Sequence, residues 1–163
     1  MEMSGQSLLN AARGEVWAAL NDPEVLRQAI PGCETLERAA DDAFAATVVL
    51  KVGPIKAKFL GRVTLSDIRP PEGYTIIGQG QGGVAGFAEG GATVRLEAVD
   101  ATHTILHYDV RAKVGGKIAQ LGARLIDSTA KKLAGQFFDK FRALVGNGRE
   151  QPGENPAASR TAV

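Results

Sequence analysis

The chain has 163 residues, a formal net charge of +1 and a single cysteine, Cys33. This length suits one domain, the near-neutral charge argues against nucleic-acid binding, and one cysteine excludes an intrachain disulfide. Glycine supplies 20 residues while aromatic residues make up 6%, so the composition favours a fold that keeps internal space over one filled by large rings.

The sequence carries no sign of export or of a membrane span. Glu2 lies at the start without a basic segment beside it, so we expect no secretory signal peptide. The longest strongly apolar run, residues 43–50, is interrupted by Thr47 and is too short to cross a bilayer. We therefore expect a cytoplasmic protein.

The N-terminal part predicts one strand and two short helices. A weak pattern places the strand at Glu2–Leu9, and apolar residues at helical spacing place the first helix at Arg13–Leu20. The second helix, Pro23–Ala29, has a proline suited to its first position, and Asp22 before it can cap the free N–H groups.

The period then changes from helical to alternating, which is typical of half-buried strands in an antiparallel sheet. The residues that share the apolar parity are, strand by strand, Phe44, Ala46, Val48, Leu50 and Val52; Ala57, Phe59, Gly61, Val63 and Leu65; Tyr74, Ile76 and Gly78; Ala92, Val94, Leu96 and Ala98; and Leu106, Tyr108, Val110, Ala112 and Val114. Gly- and Pro-rich turns separate these segments.

Residues 117–145 predict one long amphipathic helix that follows Gly115-Gly116. Its apolar face comprises Gly122, Ile126, Thr129, Ala130, Leu133, Phe137, Phe141 and Leu144. We expect six strands after the two short helices, five of them the alternating segments described above. The order is then one strand, two short helices, six strands and a long helix, and a curved sheet gripping that helix covers both apolar faces. Residues 146–163 offer no large apolar residue before Val163, so we expect a domain at 1–145 and a disordered tail.

This order resembles the helix-grip fold of the SRPBCC superfamily, which includes START-like domains. Local matches sharpen the resemblance to the CoxG family, named for a subunit of carbon monoxide dehydrogenase, over about residues 1–144. They are Val16-Trp17, Leu20-Asn21-Asp22-Pro23-Glu24-Val25-Leu26, Ile30-Pro31-Gly32-Cys33-Glu34, Lys51-Val52-Gly53-Pro54-Ile55-Lys56 and Gly115-Gly116-Lys117-Ile118-Ala119-Gln120-Leu121-Gly122.

The resemblance implies an α+β fold with a curved antiparallel seven-stranded sheet, two short helices after the first strand and a long C-terminal helix over the sheet. It also implies a deep lipophilic pocket between the sheet and the long helix. The residues expected to line that pocket are Leu26, Ile30, Val48, Leu50, Phe59, Val63, Ile76, Phe87, Val94, Tyr108, Val110, Gly122, Ile126, Thr129 and Leu133. Gly122 would leave room for the ligand, and Tyr108 would offer a hydroxyl to a carbonyl or quinone oxygen.

The function that the resemblance implies is a non-catalytic carrier of a lipophilic molecule such as a quinone, accessory to a molybdenum CO dehydrogenase-type oxidoreductase. Two alternatives stay open: a cyclase- or hydratase-like enzyme that uses the same cavity, and a docking protein that recruits the oxidoreductase to the membrane. A basic group on the outward parity, Lys51, Lys56, Lys58 and Arg62, is a candidate for peripheral contact with the inner membrane face or with an acidic partner.

Three other patterns in the sequence resemble cofactor or metal motifs, and we interpret each of them without a catalytic residue, cofactor or metal. Residues 78–83 fit G-x-G-x-x-G, but an alternating segment follows where a dinucleotide site needs a helix, so we expect a strand connection with Phe87 as an apolar flap. His103 and His107 lie about 13 Å apart if both are in a strand, which is too far to share an ion. Cys33 alone cannot hold an iron–sulfur cluster and is expected to be a small buried residue.

Overall fold

The computed structural model describes residues 1–146 and confirms the predicted order of elements. The strands are β1 (Glu2–Leu9), β2 (Cys33–Ala40), β3 (Ala43–Val52), β4 (Ile55–Arg69), β5 (Gly73–Gln81), β6 (Phe87–Asp100) and β7 (His103–Gly115). The helices are α1 (Arg13–Leu20), α2 (Pro23–Ala29) and α3 (Ala123–Leu144), with short 3₁₀ turns at Gly83–Ala85 and Lys117–Leu121.

The seven strands form one antiparallel sheet in the order β1-β7-β6-β5-β4-β3-β2. Because each strand reverses direction, the connections alternate between two ends of the sheet. The turn end holds the tight connections at 41–42, 70–72 and 101–102. The loop end holds the connections at 53–54, 82–86 and 116–122. The helix α3 starts at the loop end and runs back to the turn end.

The two short helices begin where the sequence predicts. The Asp22 carboxylate accepts a hydrogen bond of 2.9 Å from the Glu24 backbone N–H, and Pro23 occupies the first turn of α2. On α1, Val16 and Leu20 are buried in the core. A side-chain cap thus marks the start of α2, while α1, whose N-cap is Ala12, is held by the burial of its apolar residues.

The main core lies at the turn end. It combines bulky residues of the inner sheet face with α1 and the last turns of α3, and its largest fully buried side chains are Phe141, Leu9, Leu106, Val16, Val145 and Thr104. Thr104 is satisfied because its hydroxyl donates to the Ala11 carbonyl at 2.8 Å. This core holds the C-terminal part of α3 against the sheet.

The long helix begins at Ala123, so the prediction of a helix from residue 117 is wrong by about two turns. Gly116 has φ 79° and Gly122 has φ 96°, values of the left-handed region that an α-helix cannot contain. Between these glycines the chain makes a 3₁₀ turn that buries Ile118. The pattern of apolar residues alone did not reveal this break.

The end of the domain lies slightly beyond the predicted boundary. Val145 and Gly146 are buried, and Gly146 packs on the backbone of Asn10 with φ 61°. The rest of the predicted tail, residues 147–163, lies outside the described residues.

Candidate ligand-binding site

The inner face of the sheet changes in side-chain size from one end to the other. At the turn end it carries Phe44, Leu65, Tyr74, Leu96 and Leu106, all of them buried. Toward the loop end the register aligns a row of small residues across four strands, next to Val114 of β7. The small residues are Ala46, Gly61, Gly80 and Ala88. Small side chains in register leave space beneath α3 that bulky residues would fill.

Side chains around this space are part-exposed although they face the helix. They are Val48, Leu50, Val63, Ile76 and Val110 of the sheet and Ile126, Thr129, Ala130 and Leu133 of α3, all half-buried. A continuous core would bury such apolar residues almost completely. Their half-burial fits an apolar gap between the sheet and α3 that is open at the flanks of the helix, and we call this gap the inner space.

A second, smaller apolar cluster closes the inner space at the loop end. Val52, Phe59, Ala85 and Ile118 are buried there, one from each segment that meets at this end. The glycines of two of these segments touch, since a side chain at Gly116 would collide with the Cα atom of Gly86. We call these four side chains the plug.

Two clefts reach the inner face from the flanks of α3. One of about 590 Å³ lies between α3 and β3, and its lining includes Leu50, Thr129 and Leu133. The other, of about 470 Å³, lies between α3 and the end of β7, and its lining includes Val114 and Ile126. Both clefts share lining residues with the inner space.

The inner space offers little polar chemistry. Between the core and the plug, the described inward residues of β3 to β7 are apolar or glycine, apart from Tyr108. Tyr108 stacks on Phe138 at 5.2 Å, and its hydroxyl lies over Gly5, where an added Cβ would be 2.6 Å away. The hydroxyl therefore points across β1 toward a cleft of about 330 Å³ beside α3.

The other tyrosine belongs to the core. The Tyr74 hydroxyl donates to the Leu20 carbonyl at 3.4 Å, and its ring packs on Trp17. Burial disfavours the phenolate and raises the pKa of Tyr74 to about 12. This residue is a structural anchor at the turn end.

The two histidines lie on the outer face, each beside a carboxylate. His103 Nδ1 is 2.9 Å from Asp100 Oδ1, and His107 Nε2 is 2.8 Å from Glu97 Oε1. Cys33 is half-buried, and burial raises the pKa of its thiol, which keeps it protonated. Within residues 1–146, no group of three His, Cys, Asp or Glu residues is placed to hold a metal ion.

Eight of the predicted pocket residues are half-buried on the inner parity of the sheet or on α3, namely Val48, Leu50, Val63, Ile76, Val110, Ile126, Thr129 and Leu133. Of these, Val63 and Ile76 also pack against the core. Phe59 belongs to the plug, and Val94 is buried in the core, with Leu26 and Tyr108 packed against that core. Ile30 ends α2 and lines a separate groove between α2 and α3.

Two predicted residues are placed elsewhere. Phe87 pairs with Gly115, and the unbroken alternation from Val94 puts its ring on the outer face, so it is no flap over the inner space. Gly122 precedes α3 as its N-cap, where an added Cβ would meet no atom within 4 Å. Its role is to end the preceding 3₁₀ turn, because only glycine adopts its φ without strain.

The plug was missed by sequence reasoning. Ile118 stands between two glycine breaks, and Ala85 stands between Gly83 and Gly86. An apolar residue isolated among glycines is a weak signal of a side chain that folds back into the interior. The small inward residues were visible in the alternation but were not recognised as the cause of the space.

The outer face of the sheet carries many charged residues, together with exposed apolar side chains such as Leu60 and Ile77. Lys56, Lys58 and Arg62 are exposed there, as predicted from their parity, and Lys58 lies 3.4 Å from the Glu34 carboxylate. A depression of about 750 Å³ on this face is lined by charged residues that include Arg62 and Arg111. It is separate from the inner space.

The helices of the described chain, up to residue 146, are too short or too polar to cross a bilayer.

Comparison with known proteins identifies relatives over most of the chain. A family model for the CoxG subunit of carbon monoxide dehydrogenase matches residues 5–146. A conserved protein from Geobacillus kaustophilus is 32% identical, with a TM-score of 0.82 and coverage of 87% of this chain and 93% of that chain. A comparison with curated proteins finds no match.

More distant structures share the fold. A START superfamily protein from Mycobacterium smegmatis is 14% identical, with a TM-score of 0.61 and coverage of 88% of this chain and 99% of that chain. The ZhuI aromatase/cyclase from Streptomyces sp. R1128 is also 14% identical, with a TM-score of 0.62 and coverage of 88% and 92%. At 14% identity these two structures show that the fold is shared.

Proposed function

Since the chain belongs to the CoxG family of carbon monoxide dehydrogenase subunits, we propose that it is a non-catalytic accessory protein that carries an apolar small molecule in the inner space. The family name suggests an accessory role, and the START-like fold is shared with ligand-binding proteins. The ligand we propose is a quinone or a similar lipid, and the partner is a molybdenum CO dehydrogenase-type oxidoreductase. The protein would act in the cytoplasm, at the inner face of the membrane.

The observation that supports a carrier best is the half-exposed apolar lining between the core and the plug. Val63, Ile76 and Val110 lie on the inner parity of the sheet, Ile126 and Leu133 lie on α3, and all five are half-buried. The small sheet residues beside them leave a gap under the helix. Leaving such surface in contact with water costs about 25 cal/mol per Å². An apolar ligand would remove that cost and would require few polar contacts.

The direct experiment is mass spectrometry of organic extracts from the purified protein, followed by calorimetry with an aliphatic quinone. We expect binding with a negative ΔCp, because apolar surface is buried on binding. Absence of binding for quinones and fatty acids of every chain length tested would contradict the carrier function.

A variant at Gly61 tests the location of the site. A Cβ there would lie 3.8 Å from the Gln79 carbonyl and 3.9 Å from the Ala46 carbonyl, so a side chain fits and projects into the inner space. We expect Gly61→Leu to keep the fold and to weaken ligand binding about tenfold or more, since the added side chain fills volume the ligand needs.

The matched control is Gly14→Leu, at an exposed position of α1 with no atom within 4 Å of the added Cβ. It should leave ligand affinity unchanged. If Gly61→Leu instead destabilises the protein by about 1–3 kcal/mol, the region is tightly packed and the ligand must bind elsewhere.

The enzymatic alternative is a cyclase-like activity, motivated by the fold shared with the ZhuI aromatase/cyclase. Acid–base catalysis needs a titratable group within hydrogen-bond reach of the substrate. The apolar lining disfavours that alternative. Recovery of a chemically altered compound after incubation with a bound polyketide would favour the enzyme over the carrier.

A further inference from the structure

The two ends of the sheet carry opposite charge. Around the loop end, segments 51–58, 82–88 and 113–124 contain six basic residues and no acidic one, namely Lys51, Lys56, Lys58, Lys113, Lys117 and Arg124. Around the turn end, segments 37–42, 67–72 and 97–103 contain seven acidic residues, namely Glu37, Asp41, Asp42, Asp67, Glu72, Glu97 and Asp100, against Arg38 and Arg69. Glu34, Glu89 and Asp127 border the loop-end segments, so the loop end keeps an excess of three basic residues, while the turn-end segments keep an excess of five acidic ones.

Most of the basic side chains at the loop end are available to a partner. All six are exposed. Among residues 1–146, the ion pairs of the structure include one of them, Lys58 with Glu34 at 3.4 Å. Glu89 of β6 lies opposite Lys113 of β7 on the outer face. We call the remaining four basic residues, Lys51, Lys56, Lys117 and Arg124, the cationic rim.

An apolar tip stands out from the same end. Val84 is 90% exposed, which is the highest exposed fraction among the large apolar side chains of residues 1–146. It lies in the 3₁₀ turn Gly83–Ala85, next to Gly83 with φ 61° and Gly86 with φ 122°. Its neighbour Ala85 is buried in the plug. The turn thus presents one side chain to solvent and the next to the interior.

Resting on the proposed carrier function, we infer that the loop end is the surface by which the protein docks on a bilayer containing anionic lipid. Val84 enters the boundary between headgroups and acyl chains, while the cationic rim contacts the lipid phosphates. The acidic turn end faces away from the bilayer, which orients the molecule. An apolar tip beside unpaired cations matches this interface better than it matches an acidic protein surface.

Docking at this end also places the plug at the membrane. Ala85 follows Val84 directly, so movement of the tip into lipid displaces a member of the plug. The inner space then lies next to the acyl region, where an apolar ligand partitions.

Of the basic group predicted from the sequence, Lys51 and Lys56 belong to the cationic rim. Lys58 pairs with Glu34, and Arg62 lies farther along the outer face. The rim adds Lys117 and Arg124, from the connection 116–122 and the start of α3.

The test is flotation with vesicles of phosphatidylglycerol and phosphatidylcholine, compared with phosphatidylcholine alone. The full chain should bind the anionic vesicles in a salt-sensitive way. Val84→Asp should reduce binding by about tenfold, because it removes apolar burial and adds a repelled charge. Lys117→Glu should reduce binding by about fivefold or more.

Matched controls separate this surface from general effects. Val99→Asp changes an exposed valine (53% exposed) at the turn end, and Lys140→Glu changes an exposed lysine on α3; both should bind like the unmodified chain. Arg62→Glu should have a smaller effect than Lys117→Glu. Melting curves check that every variant is folded.

Each other outcome overturns the inference. These outcomes are no binding of the full chain, equal binding to neutral vesicles, equal losses in Val84→Asp and Val99→Asp, or a larger effect at Arg62. Loss in Lys117→Glu without loss in Val84→Asp would favour an acidic protein as the partner over a bilayer. Calorimetry with an aliphatic quinone in vesicle-free buffer tests the carrier function separately, so that a failure of docking is distinguished from a failure of ligand binding.

Discussion

The turn end and the loop end are built from the same strands, yet they pack in different ways. At the turn end, bulky inward residues such as Phe44 and Leu106 meet α1 and Phe141 without leaving space. At the loop end the same parity carries Gly61, Gly80 and other small residues, and a plug of four side chains closes the gap. Bulky side chains thus fill the interior at the turn end, and small residues line it toward the loop end.

Side-chain hydrogen bonds add to the contrast. Thr104 and Tyr74 each donate to a backbone carbonyl, of Ala11 and Leu20, at the turn end. On α3, Arg142 donates to the Ser7 hydroxyl at 2.7 Å and ties the helix to β1. The four side chains of the plug are apolar and form no side-chain hydrogen bond, and the backbone N–H of Ala85 donates to the Gly82 carbonyl at 3.1 Å. A region held in this way opens at lower free energy than a hydrogen-bonded core.

The largest expected effect is at the core of the turn end. Phe141→Ala should lower the free energy of unfolding by about 3–5 kcal/mol, because the side chain is 0% exposed and leaves a cavity. Ile118→Ala in the plug should cost about 2 kcal/mol and should speed ligand exchange. Urea denaturation and stopped-flow ligand release measure the two effects. Equal stability losses would remove the distinction between the two ends.

A pH titration tests the buried anchor at the turn end. The pKa of Tyr74 is about 12 in the folded protein, above the ordinary value of about 10 in the unfolded chain. The contribution of the buried Tyr74 to the free energy of unfolding is fully present below pH 10. As the pH rises toward 12, up to about 3 kcal/mol of that stability is lost. Tyr74→Phe should flatten this decline in chemical denaturation. Identical declines in both proteins would show that Tyr74 does not titrate as a buried group.

Gly122→Ala tests where the long helix begins. With φ 96° at this position, alanine should destabilise the protein by about 1 kcal/mol or more even though its Cβ meets no atom. In a continuous helix the same change would stabilise by about 1 kcal/mol, so thermal melting distinguishes the two by sign. Gly14→Ala, inside α1, is the control and should be stabilising.

The smallest effect concerns the end of the domain. A chain that ends after Gly146 should keep its free energy of unfolding within about 0.5 kcal/mol, as predicted from the composition of the tail. A chain that ends after Leu144 should lose about 1–2 kcal/mol, since Val145 is 1% exposed and its contacts would be lost. A large loss in the longer chain would show that the domain extends beyond Gly146.

The elements that the sequence predicted well are those with a local cause. The capped start of α2 at Asp22-Pro23 and the alternation of β3, β4 and β7 depend on neighbouring residues, and the structure confirms them. In β2, the segment Cys33–Ala40 lacks apolar alternation, because this edge strand is mostly exposed. The break before α3 depends on the φ of Gly116 and Gly122, which apolar periodicity does not report.

For the candidate site, parity determined which face each strand residue occupies, including Val63 and Val110. It did not determine which inward residues adjoin space, because that depends on how strands align. Ala46, Gly61 and Gly80 form a gap when the register places them side by side. Phe87 shows the opposite case, since its apolar character suggested the interior and the register puts it outside.

The sequence by itself determined the family, the order of elements and the inward parity, because each follows from short-range patterns and caps. The tertiary structure decided where the sheet is filled and where it is open, since both depend on residues distant along the chain. It also brought Val52, Phe59, Ala85 and Ile118 together as the plug, and gathered the basic residues at one end. Strand reversal is the physical reason, because it brings connections distant along the chain together at one end of the sheet.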